Sequence, residues 1–180
     1  MIARRLVIAA ALAVAGCASA PIRYYTLTPP GAGQSGPIRQ IELATPRVPE
    51  GLQRPQLVLR RSATRLDVVE TARWTTSFDM ELQAALAYGL ATELPAGNGT
   101  LPALRVASAL RQFDARPGVG VDAQFEWTVS DGDAHWSCQR RLSQPASGDT
   151  DSLVFGMQTL VRDAAHQIAL SIRQRHCPSL

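Results

Sequence analysis

The chain has 180 residues, 46% of them hydrophobic and 18% charged. That excludes a disordered or collagen-like polymer and suits one domain built on one core. Eighteen basic residues, none of them lysine, against 15 acids give a formal charge of +3; without the leader residues Arg4 and Arg5 it falls to +1, too little to argue for a nucleic-acid partner.

The leader comes first. Arg4 and Arg5 precede an uninterrupted apolar run, Leu6 to Ala15, which is the layout of a secretory signal peptide. The run is too short to span a bilayer, which takes about 20 apolar residues. Val14-Ala15-Gly16-Cys17 then resembles the lipobox of bacterial lipoproteins: a branched aliphatic, two small residues, a cysteine. Small residues admit the peptidase, and the thiol takes a diacylglycerol through a thioether. The competing reading is an ordinary signal peptide cut after Ala18 or Ala20. On the lipobox reading residues 1–16 are removed, Cys17 becomes the lipidated N-terminus, and 17–21 link the lipid and its acyl chains, palmitate among them, to a domain of residues 22–180. More than one acyl chain makes such anchoring stable. By resemblance to the lipoprotein sorting rule, Ala18 rather than aspartate after the cysteine implies the periplasmic face of the outer membrane.

Ile22 to Thr28 reads as a strand, Pro29 to Pro37 as a Gly/Pro loop, and Ile38 to Ala44 as a second strand with Ile41 and Leu43 inward. Pro46 and Pro49 interrupt it. Gln56 to Arg61 and Arg65 to Val69 form short strands around Ser62-Ala63-Thr64. A helix follows, capped by Thr76 or Ser77, with Asp79 in its first turn. Phe78, Leu82, Ala85, Leu86 and Gly89 form its apolar stripe; such a stripe can bind lipid but is more often core. Pro95 and Gly97 end it.

Leu104 to Phe113 is expected to be a strand. Val119, Val121, Ala123, Phe125, Trp127 and Val129 alternate with smaller or polar residues, the clearest period-two signal in the chain. Asp131-Gly132 predicts a hairpin. The returning strand places Trp136, Cys138 and Leu142 on one face and His135, Ser137, Gln139 and Arg141 on the other. A last helix, Ser152 to Arg173, puts Leu153, Met157, Leu160, Ala164, Ile168 and Ile172 on one side, with His166 on the solvated side. Antiparallel hairpins with segregated helices indicate an α+β domain: one mixed, mostly antiparallel sheet carrying two main helices.

In an oxidising compartment Cys138 and Cys177 are a candidate disulfide; the alternative is two separate buried thiols. The chain contains no G-x-S-x-G, H-E-x-x-H or C-x-x-C motif and no phosphate-binding glycine loop. Gly118-Val119-Gly120 lacks the next glycine of a dinucleotide site. His135 and Cys138 face opposite ways on a strand, and His176 beside Cys177 is weak evidence for a metal pair. No catalytic residue, cofactor or metal site is expected, and the chain reads as a non-enzyme.

Three stretches carry a resemblance: "YYTL" (Tyr24 to Leu27), "VPEGLQRPQLVLR" (Val48 to Arg60) and "ARWTTSFDMELQAAL" (Ala72 to Leu86). In this order after a lipobox, they resemble the PqiC/YmbA-type lipoproteins, auxiliary components of ABC-type transport. The chain departs from the family at Thr75-Thr76-Ser77, where a small residue, an acid and a proline are common. The resemblance implies a non-catalytic lipoprotein at the outer membrane that engages the periplasmic component of an MCE-type system moving lipids or other hydrophobic molecules. The domain's radius of gyration is about 15 Å, and the seven residues from Cys17 to Tyr24 reach at most about 25 Å. The domain therefore stays beside its membrane and a partner must reach it. Trp74 has two readings, a core residue at the start of the helix or an exposed anchor for that partner. Homo-oligomerisation stays open. The alternative function is an envelope-assembly lipoprotein of the pilotin or insertion-factor type, which binds a protein and moves no lipid.

Overall fold

The computed structural model describes residues 20–29, 41–94 and 103–179. The expected leader with Cys17, residues 30–37 of the expected loop, residues 38–40 of the expected second strand and the pair Pro95 and Gly97 lie outside the described residues.

The alternating segment forms the centre of the fold. Strand β6 is Gly120–Asp131, and its Val121, Ala123, Phe125, Trp127 and Val129 are at most 2% exposed. Val119, expected to begin this face, is instead exposed and precedes the strand. The next residue, Gly120, has φ +143°, and a Cβ there would collide with the Gln144 carbonyl. Val119 belongs instead to the β5–β6 turn, where its N–H donates to the Arg116 carbonyl at 3.0 Å. β6 pairs antiparallel with β5 (Leu104–Arg116) and β7 (Ala134–Pro145). The β6–β7 loop is Gly132-Asp133, one residue later than expected. Gly132 has φ +59°, matching the hairpin turn class that needs glycine at its first central position.

The remaining strands do not join one sheet, as expected from the sequence, but divide between two. β2 (Ile41–Leu43) adds parallel to β5, completing the order β2-β5-β6-β7. β1 (Arg23–Tyr25), β3 (Gln56–Arg60) and β4 (Leu66–Trp74) form a second sheet, β1-β4-β3, with β1 parallel to β4. β4 continues past Val69 to Trp74 by way of an irregularity: Leu57 pairs with Val69, whereas Gln56 pairs with Arg73. The inward face accordingly changes from the odd-numbered Val69 to the even-numbered Ala72 and Trp74.

The first helix, α1, is Phe78–Glu93, with Ser77 as N-cap. All five residues of its expected stripe are buried. The second, α2, is Thr150–Gln174. It begins before Ser152 because Asp149 caps it, accepting the Ser152 N–H at 2.7 Å. That bond, with one from Ser147, holds the Asp149 carboxyl below its ordinary range. α2 lies on β5, β6 and β7, and α1 lies on α2. A Cβ on Gly89 would stand 2.5 Å from the Ala165 Cβ, so glycine sets how closely the two helices approach. At the end of α1, Glu93 Oε1 meets His166 Nδ1 of α2 at 2.9 Å, and the histidine side chain is partly exposed as expected.

One hydrophobic cluster links both sheets and both helices. The ring series Trp74–Phe78–Phe113, each step 5.3 Å between centroids, runs from the small sheet through α1 to β5. This is a single compact α+β domain.

Candidate functional site

The three stretches that carry the resemblance converge in space. Trp74 N–H donates to the Pro55 carbonyl at 2.7 Å and Thr75 N–H to the Tyr25 carbonyl at 3.0 Å. Tyr24, Gln53, Arg54, Pro55, Arg73 and Thr75 to Ser77 thus border one open depression of about 650 Å³, with Asp79 at its margin. Tyr24 and Arg54 are exposed here. Arg73 keeps a buried Nε without a hydrogen-bond partner among the described residues.

Trp74 contributes only an edge to this depression. It is 5% exposed and packed on Phe78, because the irregularity in β4 turns its side chain inward. Of its two sequence readings, the structure has the packed one; the polar and aromatic residues around it present the surface.

Glu81 holds the depression together, and sequence reasoning missed it. Its carboxylate is buried, which by itself would favour the neutral acid. Four donors reverse that balance. Thr75 Oγ1 donates to Oε1 in a short hydrogen bond, and Leu27 N–H to Oε2 at 2.9 Å. Thr26 Oγ1 donates to Oε2 at 2.8 Å and Thr76 Oγ1 to Oε1 at 3.2 Å. Burial raises the pKa and these bonds together lower it by more, leaving the carboxyl below its ordinary value. Two of the hydroxyls, on Thr75 and Thr76, come from the turn between β4 and α1. The signal was present in the sequence: at i+3 from Phe78, Glu81 is a charge on the apolar stripe of its helix.

A second tie runs from β1 to α2. Tyr25 OH donates to Asp151 Oδ1 at 2.7 Å, and Gln158 Nε2 to the Thr26 carbonyl at 2.9 Å. Partial burial, then the Asp151 carboxylate, raises the Tyr25 pKa. On the edge strand β7 of the large sheet, Cys138 forms a disulfide with Cys177, their Cα atoms 5.5 Å apart. Arg140 Nη2 also donates to the carbonyls of Pro178 and Ser179. The end of the chain is thereby held against β7. Cys177 is engaged by Cys138, not paired with His176. Among the described residues no group of three metal-ligating side chains comes together.

The fold and this site define a compact domain in which the segment that follows β1 is tied into the core through Leu27 and Glu81. The chain belongs to the family of ABC-type transport auxiliary lipoprotein components, whose description matches residues 25–169. A crystal structure of an uncharacterized protein superposes with a TM-score of 0.73 at 18% identity, over 85% of this chain and 99% of that one. Protein XCC0632 from Xanthomonas campestris, of family DUF330, superposes with a TM-score of 0.64 at 14% identity, over 87% and 98%. At such identities the likeness concerns the fold. A search of curated proteins finds no match. Among the described residues no helix is long and apolar enough to cross a membrane.

Proposed function

We propose that this protein is a lipid-anchored, non-catalytic docking component of an MCE-type ABC transport system, held through Cys17 on the periplasmic face of the outer membrane. Its partner is the periplasmic MCE-domain protein, and the system moves lipids or other hydrophobic molecules between the two membranes. Family membership supports the transport role. The observation that carries the docking reading is the convergence of the three family-like stretches on one open depression. Separate stretches of sequence that meet at one surface suit recognition of a shared partner better than general packing. The depression offers Arg54, Arg73, Tyr24 and three hydroxyl side chains, a polar rim around aromatic surface of the kind that protein interfaces use.

Crosslinking in intact cells followed by capture of this protein tests the reading. Recovery of an MCE-domain protein, lost in an Arg54→Glu variant that folds normally, is the expected result. Recovery of a secretin or barrel-assembly component in its place would refute the transport role. The anchor is tested separately by Cys17→Ser: the variant should keep its leader and leave the outer-membrane fraction. A variant with unchanged fractionation and unchanged mature mass overturns the lipidation.

A further inference from the structure

The direction of β1 says which end of the domain meets the membrane. β1 is parallel to β4, with Arg23 opposite Ala72 and Tyr25 opposite Trp74. Followed backwards, the chain therefore leaves β1 pointing toward the Leu66 end of β4. The same direction leads past the start of α2, since Tyr25 bonds Asp151 and Thr26 bonds Gln158 seven residues further along that helix. Ala20, the first described residue, is exposed, as are Pro21 and Ile22. Cys17 is only three residue steps before Ala20, a reach of about 10 Å. An anchor at Cys17 would thus lie toward the tip of the β3–β4 hairpin rather than toward the depression at Trp74. The length of β4 puts the two about 25 Å apart.

That tip is chemically distinct. Residues 60–63 share a depression with Arg116, Pro117 and Val119 of the β5–β6 turn, and Gly118 lies against Gly148 ahead of α2. The surface carries large apolar side chains in water: Leu66 is 48% exposed and Val119 59%. Arginines stand among them. Arg61 and Arg65 share a single carboxylate, Asp67, while Arg60 pairs with Asp114 and Arg116 with Asp122. Asp67 cannot neutralise both guanidiniums, and the Arg65 side chain is 68% exposed. Apolar side chains interspersed with arginine suit the boundary between acyl chains and phosphate headgroups.

We infer that the tip formed by residues 61–66 and 117–119 rests on the phospholipid surface that holds the anchor, leaving the Trp74 depression turned toward the periplasm. The inference rests on the lipidation of Cys17. It adds an orientation: one end of β4 for lipid, the other for the partner. The occupant is the membrane rather than a protein because the chain beyond β1 leads there.

The test uses the full lipidated chain in vesicles of phosphatidylethanolamine and phosphatidylglycerol, with a photo-crosslinking amino acid at Leu66, Val119 or Asp133. Asp133 is exposed in the β6–β7 turn, the length of β6 away from Val119, about 40 Å. Mass spectrometry should find phospholipid adducts at Leu66 and Val119 at least tenfold above those at Asp133. Equal adducts at all three positions on an acylated chain overturn the orientation alone. So do adducts to a second copy, or in cells to another protein, at Leu66 and Val119. A chain without the acyl mass at Cys17 overturns the lipidation and this inference with it.

Discussion

The Glu81 carboxylate accepts the Leu27 backbone N–H at 2.9 Å across 54 residues of sequence. This bond joins the segment just after β1 to the first helix inside the core.

Replacing Glu81 by alanine should therefore cost about 3 kcal/mol or more. The loss combines charged hydrogen bonds with a buried Leu27 N–H left unsatisfied. Urea unfolding measures it. Glu81→Gln keeps the shape but removes acceptor strength, and should lose less than Glu81→Ala. Equal losses would show that packing, not hydrogen bonding, is what Glu81 supplies.

The same carboxyl sets a pH dependence. Its folded pKa is depressed, so the folded state releases this proton more readily than the unfolded chain does. The resulting stability is fully present above about pH 4.3, where an unfolded glutamate ionises. It is lost progressively as pH falls through the lower folded value. Unfolding midpoints measured from neutral pH downward should fall more steeply for the native protein than for Glu81→Gln. Parallel curves would remove Glu81 from the acid response.

The Cys138–Cys177 bridge closes a 39-residue separation. In the chain-entropy account a loop of that size contributes about 4 kcal/mol. The double variant Cys138→Ala/Cys177→Ala should lose a large part of this, read from denaturant midpoints. Thiol labelling of the mature protein, denatured without reductant, should find neither of these cysteines free.

Gly89 stands where α1 meets α2. Gly89→Ala brings a methyl to 2.5 Å from the Ala165 Cβ, and overpacking of this kind costs about 1–3 kcal/mol. The higher helix propensity of alanine offsets at most about 1 kcal/mol. A net drop in melting temperature is expected. Pairing it with Ala165→Gly should restore most of the loss, which a defect confined to α1 itself would not allow.

Trp74→Ala removes a buried ring from the Trp74–Phe78–Phe113 series and should cost about 3–5 kcal/mol. Arg54→Glu, on the same depression but exposed, should leave stability within about 0.5 kcal/mol while weakening partner capture. Thermal unfolding and capture, measured on both variants, separate the residue that supports the surface from one that presents it.

What the sequence determined by itself was local. Alternation along Val121 to Val129 assigned the two faces of β6, because side-chain direction in a strand repeats every two residues. The stripe Phe78-Leu82-Ala85-Leu86-Gly89 assigned the buried side of α1 by the same logic at helical period. The positions of Cys138 and of the last helix's apolar face followed likewise. The tertiary structure alone decided which strands are neighbours. Periodicity tells a strand which side is wet but not which backbone it bonds, so the split into β1-β4-β3 and β2-β5-β6-β7 could not be read from it. The face change within β4 depends on its register with β3, and it turned Trp74 from an ambiguous residue into a packed one. Glu81 shows the same division. Its place on the apolar stripe was visible in the sequence, but the donors that keep it charged come from residues 26, 27, 75 and 76, and only the folded chain brings those two segments together.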